Sequence, residues 1–294
     1  MRFVIALGGN ALEGNYASLK KISSVIYSLW KKGNSILITH GNGPQVGELA
    51  EVESKSLAIL TAQTQAEIGV KIKNTLEENF VLKARGNNPP KVAIVISEVL
   101  VDRNDTAFRN PTKPVGRFYR KEEAIKHARK GISFRKFENG YRRIVASPIP
   151  KDIIDADIIK SLAEQRYIVI AVGGGGIAVS RRGKLLPFEE AVIDKDYASF
   201  LLAKATRADS LVILTTTNGA YTNFKKKGQR MIREISVKEA KVLMKSGEFG
   251  IGTMQPKVDA CIRFVEWSGK KAIIGNLDDP ISAINGKGCT VISA

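Results

Sequence analysis

Short β-branched runs alternate along this chain with longer stretches whose apolar residues recur every three or four positions. Such alternation predicts an α/β fold, a mostly parallel sheet joined by crossover helices. Strands are predicted at residues 3–7, 35–39, 92–97, 167–172, 211–215, 271–274 and 290–293. Between residues 18 and 32, Leu19, Ile22, Ile26 and Leu29 share one helical face, and Gly33 ends it. Ser236 and Glu239 form a capping-box pattern ahead of Val237, Ala240, Leu243 and Met244, with Gly247 as the stop. A further helix is predicted to begin at Pro256, a favoured first position, and to run through Val258, Ile262 and Val265 towards Gly269. Another is expected over residues 197–205.

Residues 102–147 break the rhythm. They are polar, rich in Arg and Lys, and carry the rigid segment Asn110-Pro111-Thr112-Lys113-Pro114-Val115-Gly116. An excursion of this length between strands is usually functional, and a small protruding lid is expected here.

The predicted strands run directly into glycine turns at three places: Leu7-Gly8-Gly9-Asn10, His40-Gly41-Asn42-Gly43-Pro44 and Val172-Gly173-Gly174-Gly175-Gly176. Glycine allows the backbone to approach a ligand closely and can leave N–H groups facing an anion. A single Gly-Gly pair means no more than a tight turn. Three, each at the carboxyl end of a strand, converge where parallel α/β sheets bind ligands.

Composition narrows the partners. With 294 residues, 44% hydrophobic, the chain can bury a sizeable core as one large α/β domain or as two. No apolar run approaches the roughly 20 residues that cross a bilayer, and the apolar start is too short for a signal peptide. The two cysteines, Cys261 and Cys289, match no metal spacing and read as reduced core thiols of a cytoplasmic protein. The charge is strongly basic, 46 Lys and Arg against 29 Asp and Glu, a formal +17. Basic residues are spread out, with no aromatic-interleaved basic helix and no zinc-finger or RNA-recognition signature. A solvated excess that attracts small anions therefore fits better than specific nucleic-acid recognition.

Two lysines stand at predicted helix starts. Lys257 follows Pro256, and Lys195 precedes the 197–205 helix inside Asp194-Lys195-Asp196. A cation there opposes the helix dipole by ~0.3–1 kcal/mol, whereas a phosphate would be attracted by lysine and helix end together. Neighbouring carboxylates can orient such lysines or help organise Mg²⁺ around a polyphosphate. The Walker A pattern, the protein-kinase motifs and a G-x-S-x-G elbow are all absent.

In order and spacing these segments resemble the carbamate kinases of the amino-acid kinase superfamily from end to end. The anchors are Ala6 through Leu12, His40 through Gly47, Asn110 through Gly116, Arg142-Arg143-Ile144-Val145, Gly173 through Gly176, Glu190 through Asp196, and Pro256-Lys257-Val258. The resemblance implies a three-layer αβα sandwich around a mostly parallel, roughly eight-stranded sheet, spanning 1–294 as one domain with 102–147 as its lid, and used as a homodimer. It implies phosphoryl transfer between carbamoyl phosphate and ADP, with Mg²⁺ accompanying ATP or ADP and no metal held directly by protein side chains. Catalytic roles then fall to Lys195, Asp196, Lys257 and Lys113. Substrate contacts fall to Gly8, Gly9, Asn10, Gly41, Asn42, Gly43, Gly174 and Gly175. Nucleotide contacts fall to Thr215, Asn218, Gly219, Ala220, Met254 and Lys257. The chain departs from the family pattern at Thr216, where an acidic residue is usual, at Gln255, where glycine is usual, and in Gln63-Thr64-Gln65-Ala66-Glu67-Ile68-Gly69, which follows its motif loosely. Alternatives left open are an acceptor that is another small carboxylate, phosphonate or phosphate, and a non-catalytic nucleotide-binding relative.

Overall fold

The computed structural model describes residues 1–8, 16–53, 55–129, 131–250 and 252–294. The chain opens with β1 (Arg2–Leu7), α1 (Tyr16–Lys31), β2 (Ser35–His40), α2 (Gly43–Val52), α3 (Leu57–Ala84), β3 (Val92–Val95) and β4 (Glu98–Val101). It continues with β5 (Lys113–Tyr119), α4 (Lys121–Ala128), β6 (Phe134–Phe137), β7 (Gly140–Val145), β8 (Pro150–Ile153), α5 (Ala156–Glu164), β9 (Ile168–Ala171) and β10 (Ile177–Val179). The remainder is α6 (Lys195–Ala205), β11 (Ser210–Thr215), β12 (Tyr221–Thr222), β13 (Arg230–Met231), β14 (Glu234–Ser236), α7 (Val237–Lys245), α8 (Gln255–Ser268), β15 (Ala272–Asn276), α9 (Pro280–Ile284) and β16 (Thr290–Ser293).

Eight strands form the central sheet in the order β14-β16-β15-β11-β1-β2-β9-β3. Every neighbouring pair is parallel except β15 with β16, so β14 and β16 run against the other six. Strands buried on both faces read as continuous apolar runs, and β1 shows how both layers are fed. Phe3, Ile5 and Leu7 point into a core shared with α1 and α3, while Val4 and Ala6 point into one shared with α5, α6 and α8. The result is the expected three-layer αβα sandwich.

Local signals act where the sequence places them. Ser236 and Glu239 close a reciprocal capping box at α7, and Gly33, Gly247 and Gly269 follow their helices at positive φ. The helix expected to begin after Lys195 begins at Lys195 itself, because Asp194 supplies the cap by accepting the Asp196 amide at 2.9 Å.

Three further sheets stand on this frame among the described residues, one of them the two-stranded antiparallel pair β12-β13. β10-β4-β8 continues beyond β3 and β9, and the 102–147 excursion forms its own antiparallel sheet, β5-β7-β6. The base of that excursion is packed, with Val115 and Val145 in one buried cluster with Val46, Leu57, Leu60 and Val192.

Candidate active site

The carboxyl ends of β1, β2, β9, β11 and β15 share one edge of the sheet, and the glycine turns leave from it. Gly9 and Asn10 lie outside the described residues. The Gly8 amide donates to the Leu214 carbonyl at 2.9 Å and the Gly41 amide to Leu7 at 3.0 Å. The expectation of free N–H groups at these two glycines is thereby corrected: both amides extend the sheet ladder. What they contribute is a backbone without side chains at the cleft edge.

Behind them the Gly173–Gly175 turn packs against the second strand's loop. A Cβ on Gly174, at φ +63°, would lie 2.1 Å from Nδ2 of Asn42, so only glycine fits. Gly175 rests on the backbone of Ile193, just before the lysine-bearing helix. Asn42 is buried, and its Nδ2 donates to the Thr64 hydroxyl at 2.9 Å, which in turn donates to the Leu60 carbonyl at 3.0 Å. Gly43 opens α2 with open space where its side chain would be. The turn itself is fixed by α3. Gln65 both donates to and accepts from the Ser97 backbone (3.2 and 3.0 Å), while Ser97 Oγ accepts the Val172 amide at 2.9 Å.

Lys195 and Lys257 occupy the first turns of α6 and α8, and both turn inward to one carboxylate. Lys195 Nζ bonds Asp196 Oδ1, and Lys257 Nζ bonds Asp196 Oδ2 at 3.0 Å and the Thr253 carbonyl at 3.1 Å. Asp196 is only 3% exposed, so this is a desolvated triad rather than a surface pair. Burial pushes the Asp196 carboxyl up, but the two ammonium groups outweigh it and hold the acid well below its usual range. Burial dominates at Lys195 and lowers it despite Asp196. At Lys257 burial is overcome by the Asp196 and Asp194 carboxylates, and the net shift is upward. The Ser199 hydroxyl, 2.6 Å from both the Lys195 carbonyl and Thr39 Oγ1, ties this helix start to β2.

A third lysine arrives from the 102–147 excursion. Lys113, first residue of β5, bonds Oδ2 of Asp194, whose other oxygen caps α6. Three ammonium groups thus gather around two carboxylates, at the N-termini of α6 and α8. An arrangement with surplus positive charge and helix ends on one side suits a multiply charged anion such as a phosphate ester. Among the described residues no three His, Cys, Asp or Glu side chains converge as a metal cage.

The nucleotide candidates line the neighbouring edge. Thr215 ends β11 and accepts the Leu277 amide at 2.9 Å, and Asn218 accepts from Asn276 Nδ2 at 2.9 Å. Gly219 packs against Thr290, while the Ala220 amide donates to Thr290 Oγ1 at 2.8 Å and its carbonyl accepts from Ile232. Any role of Ala220 is therefore one of shape. Met254 precedes α8 directly, half-buried on the core.

Sequence reasoning passed over Ser97, Ser199 and Thr39, and it met Thr64 and Gln65 only as part of a loosely matching motif, without the loop-holding bonds they make. Asp194 was visible as a carboxylate beside the lysine, yet its cap role and its link to Lys113, 81 positions away, come only from the structure.

Comparison with known proteins gives the family. Residues 1–276 match the model of the amino acid kinase family. The chain is 39% identical to the carbamate kinase of Thermoplasma acidophilum, with 99% of each chain covered. Among solved structures, a chain from Aeropyrum pernix K1 superposes with a TM-score of 0.90 at 42% identity, covering 100% of this chain and 99% of that one. Carbamate kinase from Giardia lamblia bound to AMP-PNP gives a TM-score of 0.86 at 38% identity, over 99% and 98%. The chain belongs to the amino acid kinase family, on its carbamate kinase branch.

Proposed function

We propose that this chain is a carbamate kinase, moving a phosphoryl group from carbamoyl phosphate to ADP to give ATP and carbamate, which decomposes to ammonia and carbon dioxide. The observation that carries the reading is the Asp196 triad, two buried lysines held at helix N-termini beside a glycine-edged cleft. In-line phosphoryl transfer needs little covalent chemistry from a protein; it needs alignment and neutralised charge. Lys195 and Lys257 would stabilise the migrating group, Asp196 would fix both ammonium groups, and Gly8, Gly9 and Asn10 would border the phosphate. The Gly41–Gly43 loop would hold the carbamate end, and Gly174 and Gly175 would form the floor between the substrates. Thr215, Asn218, Gly219, Ala220 and Met254 would line the nucleotide side, in keeping with a Giardia relative solved with AMP-PNP.

Mg²⁺ would enter on the nucleotide phosphates, since Asp194 and Asp196 are already committed to lysines and amides. The whole chain would act as one unit, with 102–147 as a lid that brings Lys113 to carbamoyl phosphate. A cytoplasmic homodimer is part of the same reading. No helix among the described residues is long and apolar enough to cross a membrane.

The test is ATP formation from Mg-ADP and carbamoyl phosphate by the purified protein. Turnover should exceed that of Lys257→Ala by on the order of 10²-fold or more, the usual cost of losing one oriented donor to transition-state charge. Turnover no better than that variant would overturn the assignment.

A further inference from the structure

Lys113 is not placed by its own loop alone. It sits three residues before Gly116 on β5, and Gly116 lies on the second turn of α2 at Gly47. The approach is backbone to backbone. A Cβ on Gly47 would fall 1.9 Å from the Gly116 nitrogen and 2.0 Å from its Cα, far inside contact distance. Gly116 holds φ +69°, and a Cβ there would meet Gly47 Cα at a milder 3.2 Å. Further contacts flank this seat. Arg142 Nη2 donates to the Gly116 carbonyl at 2.7 Å, Arg117 Nε pairs with Glu51 at 3.0 Å, and Val46 and Val115 are both fully buried beside it.

The other end of α2 is the Asn42-Gly43 loop at the cleft. One short helix therefore touches the cleft loop with its first residue and the lid strand with its fifth. Because two packed backbones cannot interpenetrate, a displacement of either end must be carried to the other or must break the seat.

We propose that Gly47 is a positioning residue: its missing side chain seats the lid strand on α2, which sets the height of Lys113 over the cleft and couples it to the Asn42-Gly43 loop. The inference rests on the lid reading of residues 102–147. Gly47 touches no substrate and acts through Lys113.

The experiment is steady-state kinetics of wild type, Gly47→Ala, Lys113→Ala and the double variant, with melting temperatures alongside. Gly47→Ala should raise KM for carbamoyl phosphate by on the order of tenfold or more, as expected when a positioned group moves by about an ångström. KM for ADP should stay close to wild type, and adding Gly47→Ala to Lys113→Ala should raise KM for carbamoyl phosphate far less than Gly47→Ala does in the wild type. A folded Gly47→Ala with an unchanged KM for carbamoyl phosphate, or a loss that adds in full to that of Lys113→Ala, would overturn the inference. Should Gly47→Ala fail to fold, Gly116→Ala decides on the same criteria, with a smaller rise expected from its milder contact. Failure of the underlying reading looks different: Lys113→Ala alone would then leave KM for carbamoyl phosphate untouched.

Discussion

Lys257 Nζ lies 3.0 Å from Oδ2 of Asp196, and Lys195 holds the other oxygen of the same carboxylate. One buried anion thus fixes two cations that come from different helices. Replacing it by Asn keeps the shape and removes the charge. Two buried ammonium groups would then lack their compensation, which typically costs ~3–5 kcal/mol. Asp196→Asn should therefore lower the melting temperature and reduce kcat on the order of 10²-fold or more. A variant with normal kcat would mean that the lysines are oriented by something else.

The same triad sets the alkaline side of the rate profile. Lys195 is the more vulnerable cation, since burial lowers it while Lys257 is held up by Asp196 and Asp194. Activity that needs Lys195 charged should fall as pH rises, beginning below the ordinary lysine value of about 10.4. Removing the Asp196 carboxylate takes away the attraction that keeps the Lys195 proton. In Asp196→Asn the residual activity should lose its alkaline limb at lower pH than in wild type. Superimposable limbs would exclude Lys195 as the titrating group.

Gly174 tests the floor of the cleft. Alanine there would suffer the positive φ, roughly 1–2 kcal/mol of backbone cost, and would also drive its Cβ into Asn42. Gly183 has a similar φ of +61° but nothing within 4 Å, so Gly183→Ala bears the backbone cost alone. Gly174→Ala should lose kcat/KM by on the order of 10²-fold, while Gly183→Ala stays near wild type. Equal losses would assign the effect to backbone strain.

How far these features could be read from the chain depended on how local their causes are. The seven strands announced by β-branched runs all lie in the central sheet, because double burial forces an unbroken apolar pattern. β14 has only three residues, too few for a pattern, and it is ordered by pairing with β16. The 28-residue α3 is muted for another reason: its buried face includes Thr61, Thr64, Gln65, Gly69 and Thr75, so polarity does not track burial. Two of them, Thr64 and Gln65, hold the cleft loops, which is one reason the face is not purely apolar. Lys195 and Asp196 were legible because a cation sits between two acids just ahead of a predicted helix. The partnership of Lys113 with Asp194 depends on how a separate sheet is seated, and no local pattern records it.

Lys113 bridges the 102–147 excursion and the α6 cap, and it is less buried than the other two lysines, with 24% of its side chain exposed. Its ion pair is thus partly screened, and its loss should change stability little. Lys113→Ala should melt within a few degrees of wild type yet raise KM for carbamoyl phosphate more than KM for ADP. Equal changes in the two constants would place Lys113 outside the carbamoyl phosphate side of the cleft.

His40, last residue of β2, offers a stability test that is independent of turnover. It is 1% exposed, faces the glycine turn at Gly173, and its Nδ1 lies 3.1 Å from the Gly41 carbonyl. Burial is the main cause that lowers its pKa to about 4; nearby Lys195 adds to the shift, against hydrogen bonding to the Gly41 and Gln65 backbone. The unfolded chain should titrate near 6.5. Above that pH the ring is neutral in both states and contributes no pH dependence. Between about 6.5 and 4 the unfolded chain takes up a proton that the folded ring refuses, so stability falls as the solution is acidified. The full excursion of about 2.5 pH units corresponds to roughly 3 kcal/mol. His40→Gln cannot take up that proton in either state. Wild type should therefore lose urea-unfolding free energy steadily relative to His40→Gln as pH is lowered through this window, whichever of the two is the more stable at neutral pH. Two curves that stay parallel down to about pH 4 would show that His40 is protonated as easily in the fold as outside it.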